Sequence, residues 1–177
     1  MEANKLYKNV MILGIAGAVG SLFNLLLGWL GNICDIAVVA GFMGMFLRLK
    51  DMAENAEAED AAALKKLQLG ALLYIVGIAV RMIPVVGWIL GPIVLIVAFV
   101  FMLLGYMALK KSATFPYKDA MGLPFIAAIL GVVAAIFKII PVIGVTIGNI
   151  ILIAVFVLLL IGWKKAITPV AEPQPEQ

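Results

Sequence analysis

Ile83-Pro84-Val85-Val86-Gly87-Trp88-Ile89-Leu90-Gly91-Pro92 is matched, 57 residues later, by Ile140-Pro141-Val142-Ile143-Gly144-Val145-Thr146-Ile147-Gly148-Asn149. Both copies read Ile-Pro-Val, one residue, Gly, three residues, Gly. Pro and Gly set this close together stop one helix and start another. On either side lie apolar runs near the length of about 20 residues that crosses a bilayer as a helix. Working outward, these runs are 67–83 and 88–108 around the first copy, then 121–140 and 144–163 around the second. A third pair, 9–28 and 31–49, meets at Gly28-Trp29-Leu30-Gly31-Asn32. There Gly28-Trp29 aligns with Gly87-Trp88. After one deleted residue, Gly31-Asn32 aligns with Gly91-Pro92 and Gly148-Asn149.

A repeat of this kind fixes the expected architecture. The fold class is all-α and polytopic, with six transmembrane helices arranged as three tandem helical hairpins over about 8–50, 64–111 and 120–165. Every hairpin ends in basic residues: Arg48 and Lys50, Lys110 and Lys111, Lys164 and Lys165. The units are therefore parallel, related by a pseudo-threefold axis along the membrane normal, and inverted-repeat transporter designs are disfavoured. Residues 1–167 form one transmembrane domain, and 168–177, rich in Pro and Glu, form a disordered cytoplasmic tail.

The composition agrees. Of 177 residues, 65% are hydrophobic and 13% charged, with mean hydropathy +1.18. Soluble domains carry about half and about a quarter. The net charge is only +3, but its placement is informative. All of the 13 Lys and Arg except Arg81 and Lys138 fall in four groups: Lys5 and Lys8; Arg48, Lys50, Lys65 and Lys66; Lys110, Lys111 and Lys118; Lys164 and Lys165. Basic residues in short loops mark the cytoplasmic side. Both termini are thus expected in the cytoplasm of a multi-pass protein, and in a cell with two membranes the helical spans belong to the inner one. Lys5, Lys8 and the apolar run after them also resemble a signal peptide ending at Ala16-Gly17-Ala18. The repeat argues against that, since cleavage would remove part of the first unit.

The connections read differently. Residues 50–66 place Asp51, Glu54, Glu57, Glu59 and Asp60 before Lys65 and Lys66, an order suited to a helix dipole. A solvated helical extension of the third span is expected, with a docking helix for a soluble partner as the sharper alternative. Lys111–Lys118 reads as a loop with interfacial aromatics. Trp29, Trp88 and Trp163, with Tyr7, Tyr106 and Tyr117, read as membrane belts.

The odd spans carry stripes of small residues: Gly14, Gly17, Ser21, Asn24 and Gly28 in the first, Gly70, Tyr74, Gly77 and Arg81 in the third, Ala127, Gly131, Ala134 and Lys138 in the fifth. Small faces let helices approach closely in lipid. The odd helices are therefore expected to pack centrally, with the bulkier even helices facing lipid. Gly87 with Gly91, and Gly144 with Gly148, add two further packing steps.

Little in the sequence can carry catalysis. There is no His and only one Cys. This excludes a His-based nucleophile, an internal disulfide and a thiolate metal cluster. No catalytic residue, metal ligand set or cofactor is assigned, and no basic folded surface suggests nucleic acid. The polar residues on the outer half are Asp35, Arg81 and Lys138, with Asn24, Asn32, Cys34, Thr146 and Asn149 nearby. Asp35, Arg81, Lys138, Asn32 and Asn149 form a candidate outer polar site for an ion or a lipid headgroup. In structural terms Arg81 and Lys138 are interfacial anchors that snorkel, Asp35 caps the second helix or pairs with one of them, and Asn32 and Asn149 are turn residues. Ser21 takes the third position of the Arg81–Lys138 pair, so a ring of cations would be incomplete.

The expected function is that of a non-enzymatic membrane protein acting by packing: a scaffold, an accessory subunit or a modifier of membrane properties. Its partners are the lipid bilayer and either further copies in a homo-oligomer or another membrane protein. The rival is a small channel or transporter whose cationic outer vestibule carries Arg81 and Lys138.

Overall fold

The computed structural model describes the backbone of residues 2–26, 29–83 and 85–168, and their side chains except those of 2, 3 and 29–33. The described residues form six α-helices: α1 (Glu2–Leu26), α2 (Trp29–Glu54), α3 (Ala58–Arg81), α4 (Gly87–Lys111), α5 (Gly122–Phe137) and α6 (Ile143–Ile167). No strand occurs among the described residues. Among the described residues five segments are long and apolar enough to cross a membrane: Asn4–Leu26, Ala58–Arg81, Gly87–Lys111, Lys118–Phe137 and Ile143–Ile167. The 16 residues of α5 reach only about 24 Å at 1.5 Å per residue. A 3-10 turn over Lys118–Met121 leads into it and supplies the missing length. Pro124 sits in the first turn of α5, where its missing N–H removes no helical hydrogen bond.

Each helix packs against its neighbours in the chain, and α1 packs against α6, so the six helices close into a ring. Among the described residues no two odd-numbered helices pack against each other. The expectation of a central cluster of odd helices is therefore corrected. The interior of the ring is filled from the even side, by Phe42 of α2, Phe99 of α4 and Phe156 of α6, together with Tyr74 of α3. Tyr74 stacks on Phe42 at 4.1 Å between centroids and meets the edges of Phe99 at 5.6 Å and Phe156 at 6.4 Å. The small residues receive these rings. A Cβ at Gly17 would fall 2.5 Å from the Phe156 ring, and one at Gly131 would collide with the Phe99 ring. The glycine stripes thus face bulky neighbours on even helices rather than one another.

Two readings of aromatic residues are also corrected. Tyr106 and Trp163 are fully buried between helices and do not belong to a membrane belt. Phe115, expected at the interface, is 4% exposed and packs edge-on against Tyr117. That loop is ordered by Ser112, whose Oγ accepts from the N–H groups of Thr114 (3.1 Å) and Phe115 (3.0 Å). The Thr114 hydroxyl donates to Asp60 at 2.7 Å and ties the loop to the start of α3. The expected extension of the third span is shared: α2 continues through Glu54, the chain turns at Asn55–Glu57, and α3 begins at Ala58.

At the opposite end, where α3 turns into α4 and α5 into α6, Val85 and Val142 adopt φ of 64° and 60°. A β-branched residue in this region is sterically disfavoured. The side chains of Trp29 and Asn32, the residues Gly28 and Pro84, and the tail after Thr168 lie outside the described residues.

Candidate functional site

The turn end of the bundle gathers most of the polar side chains singled out in the sequence. Arg81 is the last residue of α3, and Asp35 lies in the second turn of α2. Arg81 Nη2 donates to Asp35 Oδ2 over 2.5 Å, joining α2 to α3. The two side chains are 26% and 14% exposed, so water screens the pair only in part. Asp35 lies too deep in α2 to cap its start. Its role is to pair.

Lys138 follows the last residue of α5 and is only 7% exposed. The snorkelling anchor expected at this position is corrected: the side chain turns inward. Its stem lies over Gly148 of α6, where a Cβ would come within 2.7 Å of Lys138 Cγ. Arg81 uses Gly91 of α4 in the same way, with Cβ and Cγ of the arginine 3.0 and 3.1 Å from a Cβ placed there. Gly91 and Gly148 are thus beds for two cationic stems. Gly87 and Gly144 begin the next helices against backbone carbonyls, those of Val80 and Phe137 respectively. Gly14 packs on Leu160, and Gly77 on Leu95.

Asn149 stands in the second turn of α6 and is 2% exposed, so it is not a turn residue. Its Oδ1 has no hydrogen-bond partner among the described residues. A buried amide oxygen left unpaired costs about 1–3 kcal/mol. Asn24 of α1 completes the group. A cavity of about 270 Å³ is lined by Asn24, Arg81, Lys138 and Asn149, with Trp88 and Val145 among its apolar walls. A smaller space of about 20 Å³, enough for about one water, lies deeper among Ser21, Asp35, Tyr74 and the two cations.

Asn24 rather than Ser21 therefore lines the larger cavity with Arg81 and Lys138. Ser21 is buried one turn deeper. The signal was available: counting back 57 residues from Arg81 without a gap gives Asn24, and the same count from Asn149 gives Pro92 and then Asp35. Aligning the first turn on its glycines uses spacings of 59 and 60 and hides both. Thr146 donates its hydroxyl to the carbonyl of Val142 at 3.1 Å, and Cys34 is a half-buried free thiol.

The cluster sets two basic side chains, Arg81 and Lys138, against the single carboxylate of Asp35. Lys138 has no carboxylate within ion-pair distance among the described residues. The arrangement is suited to holding an anion. Among the described residues no group of three His, Cys, Asp or Glu side chains is placed to hold a metal ion. Comparison with protein families, with curated proteins and with solved structures gives no match for this chain.

Proposed function

We propose that the chain is a non-enzymatic multi-pass membrane protein that acts as a scaffold or accessory subunit. In this reading α2 is the sixth span, and the three hairpins α1–α2, α3–α4 and α5–α6 are parallel repeats about a pseudo-threefold axis. What supports the repeat is the recurrence of buried positions every 57 residues without a gap. Val10, Leu67 and Pro124 are all buried, as are Gly17, Tyr74 and Gly131, Phe42, Phe99 and Phe156, and Leu49, Tyr106 and Trp163. Both termini lie on the cytoplasmic side of the inner membrane in this reading, because the basic groups collect at the end opposite the turns. The proposed partners are the bilayer, further copies of the chain or another membrane protein.

The observation that carries the scaffold reading is the aromatic cluster inside the ring. Phe42, Tyr74, Phe99 and Phe156 occupy the interior at mid-depth, each at most 4% exposed. A water-filled path along that axis needs these rings to leave. The rival, a small channel or transporter, draws on the cavity beside Arg81 and Lys138 and on the space of about 20 Å³ beneath it, which ends on Tyr74 and Phe156 of the aromatic cluster. Proteoliposomes decide between them. The scaffold reading expects ion and anion leak no faster than in protein-free liposomes. A flux that rises when Phe99 is replaced by Ala and falls when Arg81 is replaced by Gln would replace it with the channel.

A further inference from the structure

We infer that the turn-end cavity binds a phosphate-type oxyanion, with Lys138, Arg81 and Asn24 as its donors. The first ground is charge. Lys138 is only 7% exposed, and among the described residues no carboxylate lies within ion-pair distance of it, Asp35 acting on it only from farther off. The nearest acid, Asp35, is already held by Arg81. An ammonium at such depth in a helical bundle is costly without a partner. An anion in the adjoining cavity supplies one.

The second ground is donor geometry. A guanidinium has five N–H donors in a planar fork, and the bond to Asp35 uses one of them. The remaining donors and the ammonium stand on one cavity with the amide of Asn24. Guanidinium and ammonium groups together match the oxygens of a phosphate. A monatomic ion would not need this spread.

The third ground is shape and place. At about 270 Å³ the cavity is much larger than a halide and approaches the range of about 300–1,000 Å³ typical of ligand pockets. Its rim is apolar, and Trp88 there is 50% exposed. Cationic floor and apolar rim suit a phosphate joined to a lipid. The unpartnered Asn149 Oδ1 is an acceptor inside the same cavity, ready for a hydroxyl on the headgroup. A free phosphate offers the same oxyanion without the tail, so the test must separate the two sources.

The test uses the full chain purified in detergent, free of phosphate. Equal amounts of phosphatidylglycerol and phosphatidylcholine are added, and retained lipid is read by native mass spectrometry. Inorganic phosphate is titrated separately, with melting temperature as the readout. The expected result is one retained phosphatidylglycerol, preferred over phosphatidylcholine by about tenfold. Lys138→Met abolishes that preference and Lys138→Arg preserves it. Asn24→Ala, at the half-buried edge of the cavity, weakens retention several-fold and serves if Lys138→Met does not fold. If inorganic phosphate instead raises the melting temperature of the wild-type chain and not of the variants, the oxyanion is a freely diffusing one at the same site. If phosphatidylglycerol is retained equally by the wild type, Lys138→Met and Asn24→Ala, and phosphate stabilises none of them, the inference is overturned. Neither outcome bears on the scaffold reading, which rests on flux.

Discussion

The indole N–H of Trp163 donates to the hydroxyl of Tyr106 over 3.3 Å, and both side chains are 0% exposed. The bond joins α4 to α6 across the 57-residue spacing of the turn motif. Removing one partner leaves the other unpaired in a dry site, at a cost of about 1–3 kcal/mol. Tyr106→Phe and Trp163→Phe are each expected to lower stability by that amount. The double variant should lose less than the sum, because no orphaned polar group remains. Unfolding of all four proteins in mixed detergent measures this coupling.

The Asp35–Arg81 pair makes a sharper case. Asp35→Asn leaves two cations facing each other without a carboxylate. Breaking a buried pair from one side costs about 3–5 kcal/mol. The partial exposure here places the expectation at the lower end. Restoring the balance with Arg81→Gln in the same chain should recover part of the loss. Additive losses in the double-mutant cycle would mean the pair is not coupled.

Gly17 and Gly131 admit the rings of Phe156 and Phe99. An added methyl at either site pushes a packed aromatic ring into the centre of the bundle. Overpacking of this kind costs about 1–3 kcal/mol. Gly17→Ala should recover stability when combined with Phe156→Leu, whereas Gly17→Ala with Phe99→Leu should not. Thermal melts of the two pairs distinguish contact at this site from a general intolerance of bulk.

Val142 is held at φ 60° in the turn between α5 and α6. Non-glycine residues in such regions carry about 1–3 kcal/mol of strain. Val142→Gly relieves it and is expected to raise stability by about 1 kcal/mol, net of the entropy that glycine adds to the unfolded chain. A fall in midpoint would mean that the valine side chain contributes more by contact than its backbone loses.

Orientation is tested by labelling. In a Cys34→Ala background, Val85→Cys at the turn end should react with an impermeant maleimide added to intact spheroplasts. Glu59→Cys at the opposite end should react only after permeabilisation. Reversed labelling would invert the proposed topology.

Helix number could be read from the chain because apolar length and Pro-Gly punctuation are local properties; the polar helix ends could not, and α2 runs on to Glu54. Packing partners could not. A stripe of glycine states that something comes close; it does not state whether that neighbour is another stripe or a Phe ring. The stripes of Gly17 and Gly131 suggest contacts between odd helices, yet the two glycines receive Phe156 and Phe99. Trp163 and Tyr106 show a related limit. Near a span end, an aromatic with a polar tip serves equally well at the lipid interface or in a buried hydrogen bond, and only the neighbour decides. Of the polar site, Asp35, Arg81, Lys138 and Asn149 stand out in the sequence as polar residues near span ends. Matching Gly31 to Gly91 sets a spacing of 60 and puts Ser21 opposite Arg81, whereas the spacing of 57 that relates the other two repeats puts Asn24 there.

The seal between α1 and α6 has a consequence for biogenesis. Gly17 waits for Phe156, 139 residues further along the chain. At about 5–20 residues per second of synthesis, that interval is on the order of ten seconds. During it α1, already beside α2, presents an open glycine face. Lipid, an insertion factor or the wrong helix can occupy that face until the last hairpin arrives. A ribosome-stalled chain ending before α6 would expose the same groove, a handle for quality control that the finished bundle no longer presents.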